Sequence, residues 1–296
     1  VDTMEKAQAF LATGAGGLHD PMRLRDMDKA VAAIREAVRQ RQKIIVFGDY
    51  DVDGITATCV LLRYLRGIGA DADYYIPNRL SEGYGLSCAA MDALYAQGVR
   101  LIVTVDSGVT AFEETAYAKK LGIRMVITDH HECREELPQA EAIVNPRRSD
   151  CDYPFAELAG VGVAFKLICA LAGPENSGAV LDKYADLVAL GTVADVMPVV
   201  GENRVIVAAG LQRLAVTENL GLEMLLRESG QKSRRLTSSV ISFILAPRIN
   251  AAGRMGNTGQ AVELFLTDDP VRAQELAAQL CEQNKERQAA ENDILQ

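Results

Sequence analysis

Three carboxylates at alternate positions, Asp49, Asp51 and Asp53, lie in the segment Gly48-Asp49-Tyr50-Asp51-Val52-Asp53-Gly54, directly after the apolar run Ile44-Ile45-Val46-Phe47. Like charges this close resist joint ionisation unless a positive charge stands among them. A divalent metal ion supplies that charge. The arrangement recurs further along the chain. Asp106 closes the run Leu101 to Val105, and Asp129-His130-His131 follow the run Met125 to Thr128. The chain has three histidines, and two of them are adjacent in that triplet. Oxygen and imidazole ligands of this kind suit Mg²⁺ or Mn²⁺. Asp195 sits in the apolar segment Leu190 to Val196, and a buried carboxylate must be paired or must coordinate a metal. One acid at a strand end is commonly a helix cap, and adjacent histidines on a loop are commonly solvated. The joint pattern, delivered by four separate elements, outweighs those readings.

The chemistry that uses such a set is two-metal phosphoester hydrolysis, in which two ions about 3.5–4 Å apart activate water and neutralise charge on the phosphorus. Asp51 and Asp53 diverge to serve one ion each, and Asp106, from a neighbouring strand, is the natural bridge. His130 is a ligand to one ion, and Asp195 is a last ligand. Asp49 stands between ligand and helix cap. His131 is placed for a substrate phosphate or a protonation role. Asp53, Asp106 and His131 are thus the expected catalytic residues.

The elements that must position these residues alternate in type. An amphipathic helix opens at Asp20-Pro21 and runs to about Arg41, and a strand follows from Lys43 to Phe47. A helix begins at Asp53 or Gly54, Tyr74 to Ile76 reads as a strand, and Ser87 caps a helix that runs to Gln97. Leu101 to Val105, Arg124 to Thr128 and Ala142 to Val144 are further strands, with a helix from Val109 to Leu121 between the first two. This alternation predicts an α/β fold, a mostly parallel sheet flanked by helices. Ligands in such sheets collect at the carboxyl ends of strands, where the acids and histidines fall.

After about Asn145 the pattern turns helical: Gly160 to Leu171, Ala179 to Leu190, Asn203 to Leu214, Leu220 to Glu228 and Thr237 to Leu245. The expected organisation is a catalytic domain over 1–269, with its α/β part over about 1–150 and its helical part over about 151–269. Residues 270–296 form the start of a connector helix to a downstream domain, since the chain begins at Val1 and stops within a charged helical pattern.

Composition narrows the function classes. At 296 residues and 49% hydrophobic the chain can build a sizeable core, and its net charge of −9 argues against a generally basic nucleic-acid binder while leaving room for a local basic groove. The six cysteines form no C-x-x-C pair, which points to a reduced, cytoplasmic protein. No signal pattern opens the chain, and no run approaches the ~18 apolar residues of a membrane helix. No G-x-G-x-x-G follows the first strand, so a dinucleotide-binding oxidoreductase is poorly supported.

Six ordered segments carry a family resemblance: Gly48 to Thr58 (GDYDVDGITAT), Val105 to Gly108 (VDSG), Thr128 to Glu132 (TDHHE), Leu158 to Lys166 (LAGVGVAFK), Gly191 to Arg204 (GTVADVMPVVGENR) and Ala246 to Arg254 (APRINAAGR). Together they resemble the DHH phosphoesterases, and within them the RecJ branch of bacterial single-strand-specific 5′→3′ DNA exonucleases. The resemblance implies two metal ions, commonly Mn²⁺, held by Asp51, Asp53, Asp106, His130 and Asp195, with His131 touching substrate phosphate. It leaves Asp49 open, because related phosphatases carry a histidine upstream of the paired acids and this chain has none there. It also implies hydrolysis of single-stranded DNA to 5′-mononucleotides in DNA repair and recombination, with a single-strand-binding protein or helicase as partner of the full-length protein. Rival readings are a phosphoesterase acting on short oligonucleotides, cyclic dinucleotides or pyrophosphate, and a non-catalytic replication scaffold.

Substrate contacts are expected from Arg248, Asn250 and Arg254, punctuated by Pro247 and Gly253, since arginine suits bidentate phosphate contact. Gly160 and Gly162 open a helix whose N-terminus suits a phosphate, with plain backbone packing as the alternative. Arg147-Arg148 and Lys232 to Arg235 either line a strand path or form solvated faces. With no tryptophan in the chain, base stacking falls to tyrosine or phenylalanine, Tyr84 in its glycine-flanked loop first.

Overall fold

The computed structural model describes residues 3, 14–78, 82–83, 85–231, 235–254 and 257–294. Tyr84 and residues 232–234 of the basic run lie outside the described residues, as does the side chain of Arg254. The elements follow in the order α1 (Met27–Arg39), β1 (Lys43–Phe47), α2 (Val52–Gly67), β2 (Ala72–Tyr75), α3 (Cys88–Ala96), β3 (Val99–Thr104), α4 (Phe112–Leu121), β4 (Arg124–Thr128) and β5 (Ala142–Val144). Then come α5 (Gly160–Ala172), α6 (Ser177–Ala194), α7 (Gly201–Leu214), α8 (Leu220–Glu228), α9 (Ser238–Val240), a π-helical turn (Ile241–Leu245), α10 (Ala246–Arg254), α11 (Thr258–Leu266) and α12 (Pro270–Ile294).

The five strands form one parallel sheet in the order β2-β1-β3-β4-β5. Alternation along β1 explains why both faces are covered. Ile44 and Val46 enter the large core shared with α1, α2, α5 and α6, while Ile45 and Phe47 enter a smaller core with Met91 and Leu94 of α3. A parallel sheet buried on both faces reads as nearly continuous apolar runs, as these strands do. Chain order reverses between β1 and β3, and such a switch point opens a crevice at the carboxyl ends of the two strands. The Asp49 to Asp53 segment and Asp106 leave those two ends.

The helical part is not a separate body. One hydrophobic core runs from Ile44 and Val103 in the sheet through Leu187 in α6 to Leu264 in α11 and Leu280 in α12. The first half of α12 docks on that core through Ala273, Leu276, Ala277 and Leu280, all fully buried. Only beyond these turns does the helix have the polar character expected of a connector. A buried ion pair ties α5 to α7: Lys166 and Glu202, both fully enclosed, meet at 2.8 Å. Glu202 also accepts from the Tyr153 hydroxyl and the His19 amide, and Lys166 donates to the His19 carbonyl.

Two departures from the sequence-based expectation have local causes, and a third is an added helix. The first helix starts at Met27, after a 3₁₀ turn at Pro21–Arg23, because Asp26 takes a left-handed conformation (φ 60°). The Asp26 carboxylate is held there by Arg148 and Lys29, each at 2.7 Å. The segment punctuated by Pro247 and Gly253, to which no element was assigned, is helical (α10). Proline lacks an N–H and collides with the carbonyl four residues back; the π-helical turn just before it, in which Ala246 bonds Ile241 five residues back, widens the helix where this would occur. Helix α11 also forms where the pattern gave no element.

Candidate metal centre

Asp51 caps α2, its Oδ1 accepting from the Gly54 amide at 2.9 Å. Asp49, one residue pair earlier, is buried and accepts from the Tyr50 amide at 2.8 Å. Asp53 lies in the first turn of α2 and is 1% exposed. Its two oxygens accept from Gly160 N at 2.6 Å and Val161 N at 2.8 Å. The free N–H groups and positive dipole end of α5 are therefore spent on a carboxylate of the site. This corrects the expected role of Gly160, whose amide does not face a substrate phosphate. The glycine is required for another reason: a Cβ there would stand 2.5 Å from the Cβ of Asp106. Gly162 packs beside the Leu158 side chain, the alternative reading given for it.

Asp106 follows β3 in a left-handed conformation (φ 56°) that turns its buried carboxylate toward His130. His130 Nε2 stands 3.1 Å from Asp106, 3.7 Å from Asp195 and 3.9 Å from Asp53. Asp129 does not point at this group. Its Oδ1 holds His131 Nδ1 at 2.7 Å and its Oδ2 takes the Val109 amide at 2.8 Å. Asp129 is a positioning residue that the sequence reading gave no role of its own, although its place directly before two histidines was the available signal. Asn145 adds a second anchor by donating to the His131 carbonyl at 2.9 Å. Asp195 ends α6, and the next residue, Val196, has φ 59° with its side chain 86% exposed. A β-branched residue rarely adopts that conformation.

Three sets of possible ligand atoms each lie within 4.8 Å of one another: Asp49, Asp51 and Asp106; Asp53, His130 and Asp195; and Asp106, His130 and His131. Asp106 belongs to two of them. Burial, then the charge of Asp53, pushes the Asp106 carboxyl well above the usual range, and burial followed by Asp195 does the same to Asp53. Burial and then Asp51 raise Asp195 to about 6. Burial and the neighbouring His131 lower His130 to about 4, so its imidazole is neutral at pH 7. His131 is raised by its hydrogen bond to Asp129. Ionised acids in such a place need an inserted cation. The donor set, carboxylate oxygens with one neutral imidazole, fits two hard divalent ions.

A family model described as the DHH family, N-terminal domain, matches residues 43–192. The chain belongs to the DHH family. Within the DHH family its similarity runs to RecJ. It is 45% identical over 287 residues to the single-stranded-DNA-specific exonuclease RecJ of Bacillus subtilis, covering 97% of this chain and 36% of the relative. A solved structure of exonuclease RecJ bound to manganese superposes with a TM-score of 0.85 at 38% identity, over 92% of this chain and 69% of that one. RecJ of Thermus thermophilus in complex with Mg²⁺ gives a TM-score of 0.70 at 31% identity, over 98% and 42%. The chain spans half or less of the length of the curated relatives it matches most strongly.

The remaining expected contacts divide. Gly253 puts α10 against the loop of the acids, since a Cβ there would stand 2.4 Å from the Tyr50 carbonyl oxygen. Asn250 lies one turn before Arg254 on α10 and lines a cavity beside Ala194. Arg248 folds back, its Nη1 donating to the Ile244 carbonyl at 2.6 Å. Arg147 pairs with Glu132 and with Glu157. Arg148, 9% exposed, binds Asp26, Asp150 and the Ile143 carbonyl. Arg148 is therefore a clamp between β5 and the start of α1, not a surface for a strand. Among the described residues no helix is long and apolar enough to cross a membrane.

Proposed function

We propose that this chain is the catalytic part of a nuclease that hydrolyses single-stranded DNA from its 5′ end and releases 5′-mononucleotides with the help of two Mn²⁺ or Mg²⁺ ions. The observation that carries this reading is that Asp106 shares a ligand set with Asp49 and Asp51 and also stands 3.1 Å from His130, a member of the set with Asp53 and Asp195. Asp49, Asp51 and Asp106 would hold one ion; Asp53, His130 and Asp195 would hold the other, with Asp106 between them. Bound there, the ions supply an activated water and neutralise charge on the phosphate. The protein does the rest. The α5 amides fix Asp53, and Asp129 fixes the His131 ring by its Nδ1, which leaves Nε2 as the ring nitrogen for a phosphate oxygen. His131 lines a cavity of about 320 Å³ with Ser107, Gly108 and Glu114, room for the terminal nucleotide. Asn250 would face the strand from α10, and Arg254 is proposed as a substrate contact on its residue type alone. Six unpaired cysteines support a reducing, cytoplasmic setting.

The test is Mn²⁺-dependent release of mononucleotides from single-stranded DNA with the 5′ end free or blocked. Release from the free end only is expected. Equal release from both would end the directional reading, and turnover of dinucleotides alone would move the substrate class to short oligonucleotides.

A further inference from the structure

A second cavity, of about 210 Å³, adjoins the helix end that carries Asp195. Its wall contains Ala194, the residue before that ligand, together with Ser242 of the π-helical turn, Ala246, Pro247 and Asn250 of α10, and Arg287 of α12. Three separate elements thus bring a hydroxyl, an amide and a guanidinium to one place, and among the described residues no carboxylate lines it. Each of these groups can donate hydrogen bonds.

Arg287 is not a random surface arginine. Leu280, Asn284 and Arg287 follow at intervals of four and three residues, so they share the stripe of α12 that faces the core. Leu280 and Asn284 are buried, and the Arg287 side chain is 22% exposed. In the chain alone Arg287 meets Glu291 one turn further and Asn284 at 3.3 Å. An exposed pair of the Arg287–Glu291 kind contributes little to stability and does not require the arginine to sit on the inner stripe. The widened turn before α10 points the same way, since π-helical turns are frequent at functional sites.

We propose that this cavity holds a backbone phosphate of the DNA strand next to the scissile one, with Arg287 as its main contact and Asn250 and Ser242 as further donors. The proposal rests on the nuclease reading above. A guanidinium offers paired N–H donors to phosphate oxygens, and the neighbouring Ala194–Asp195 peptide ties this subsite to the metal centre. Glu291 then acts as a stand-in acceptor that DNA displaces.

The experiment measures affinity for a 5′-phosphorylated oligothymidylate over a range of salt, with divalent ions chelated, for the wild-type protein, Arg287→Gln and Glu291→Gln. One phosphate contact on a single strand contributes about 0.7 to the slope of log K against log salt. Arg287→Gln is expected to lower that slope by about this amount and to weaken binding about tenfold at low salt. Glu291→Gln, which frees the arginine, is expected to tighten binding. In Mn²⁺-dependent turnover, the preference of Arg287→Gln for the oligonucleotide over the p-nitrophenyl ester of thymidine 5′-monophosphate should fall about tenfold, chiefly through KM. An unchanged slope in Arg287→Gln, or weaker binding in Glu291→Gln, overturns the subsite. A wild-type protein that binds no DNA and also releases no nucleotide with Mn²⁺ removes the nuclease reading and this inference with it.

Discussion

Two of the places where the molecule encloses ionisable side chains are built on opposite plans. Around Lys166 and Glu202 every charge is answered: the pair meets at 2.8 Å, and Tyr153 and the backbone at His19 take up the remaining donors and acceptors. Around Asp53, Asp106 and His130 the buried carboxylates face one another across a neutral imidazole. The first cluster is complete as folded and fixes how α5 lies on α7. The second is complete only with a ligand. Burial alone does not tell a structural ion pair from a functional one; the balance of charge inside the enclosure does.

Four substitutions or additions test that contrast. Asp106→Ala should reduce DNA hydrolysis by about 10³-fold or more, equivalent to about 4 kcal/mol in the barrier, while its urea midpoint stays equal to or above the wild type because a repulsive buried acid is gone. A variant retaining a tenth of the activity would break the bridging role. Lys166→Met should do the reverse. It strands Glu202 and should cost about 3–5 kcal/mol in urea unfolding, most of it recovered in Lys166→Met/Glu202→Leu. A cost below about 1 kcal/mol would mean the pair is not structurally required.

Mn²⁺ at about one hundred times its dissociation constant should stabilise the wild type by about 2.7 kcal/mol, read as a rise in thermal midpoint. The rise should persist in Lys166→Met and shrink in Asp106→Ala; equal rises in all three would place the ion elsewhere. The smallest effect concerns Asp26. Burial tends to raise its pKa, but hydrogen bonds from Lys29 and Arg148 hold it below the usual value. A depressed carboxyl stabilises the fold above its unfolded pKa of about 4, and this is lost as pH falls through the folded value. Asp26→Asn, which tolerates the left-handed backbone, should therefore cost below about 1 kcal/mol at pH 7 and nothing in strong acid. A gap that widens on acidification would contradict this sign.

The sequence was most readable where local pattern and tertiary need agree. Arg124–Thr128, Ala142–Val144 and Leu220–Glu228 form with the boundaries expected of them, because apolar runs flanked by polar residues leave little choice. The acids Asp49, Asp51, Asp53, Asp106 and Asp195 do converge with His130, since each leaves an element whose type was clear. What stayed hidden depends on partners distant in sequence. Lys166 finds Glu202 36 residues away, and Asp53 finds the amides of Gly160 and Val161 more than a hundred away. Pro247 and Gly253 read as punctuation of a short segment with no assigned element, yet a helix runs through both.

The turn at Ile241–Leu245 amounts to one residue of slack in an otherwise continuous helical path. The slack absorbs one extra residue locally, so α10 keeps its phase. Winding that turn as an ordinary α-helix with no residue removed would swing every side chain beyond it by roughly 100° about the axis. Asn250 would leave its cavity, and a bulkier neighbour would replace Gly253 against the Tyr50 carbonyl, where no Cβ fits. The turn thus sets the phase of the wall that faces the acids, as the offset of one tooth sets the timing of two gears.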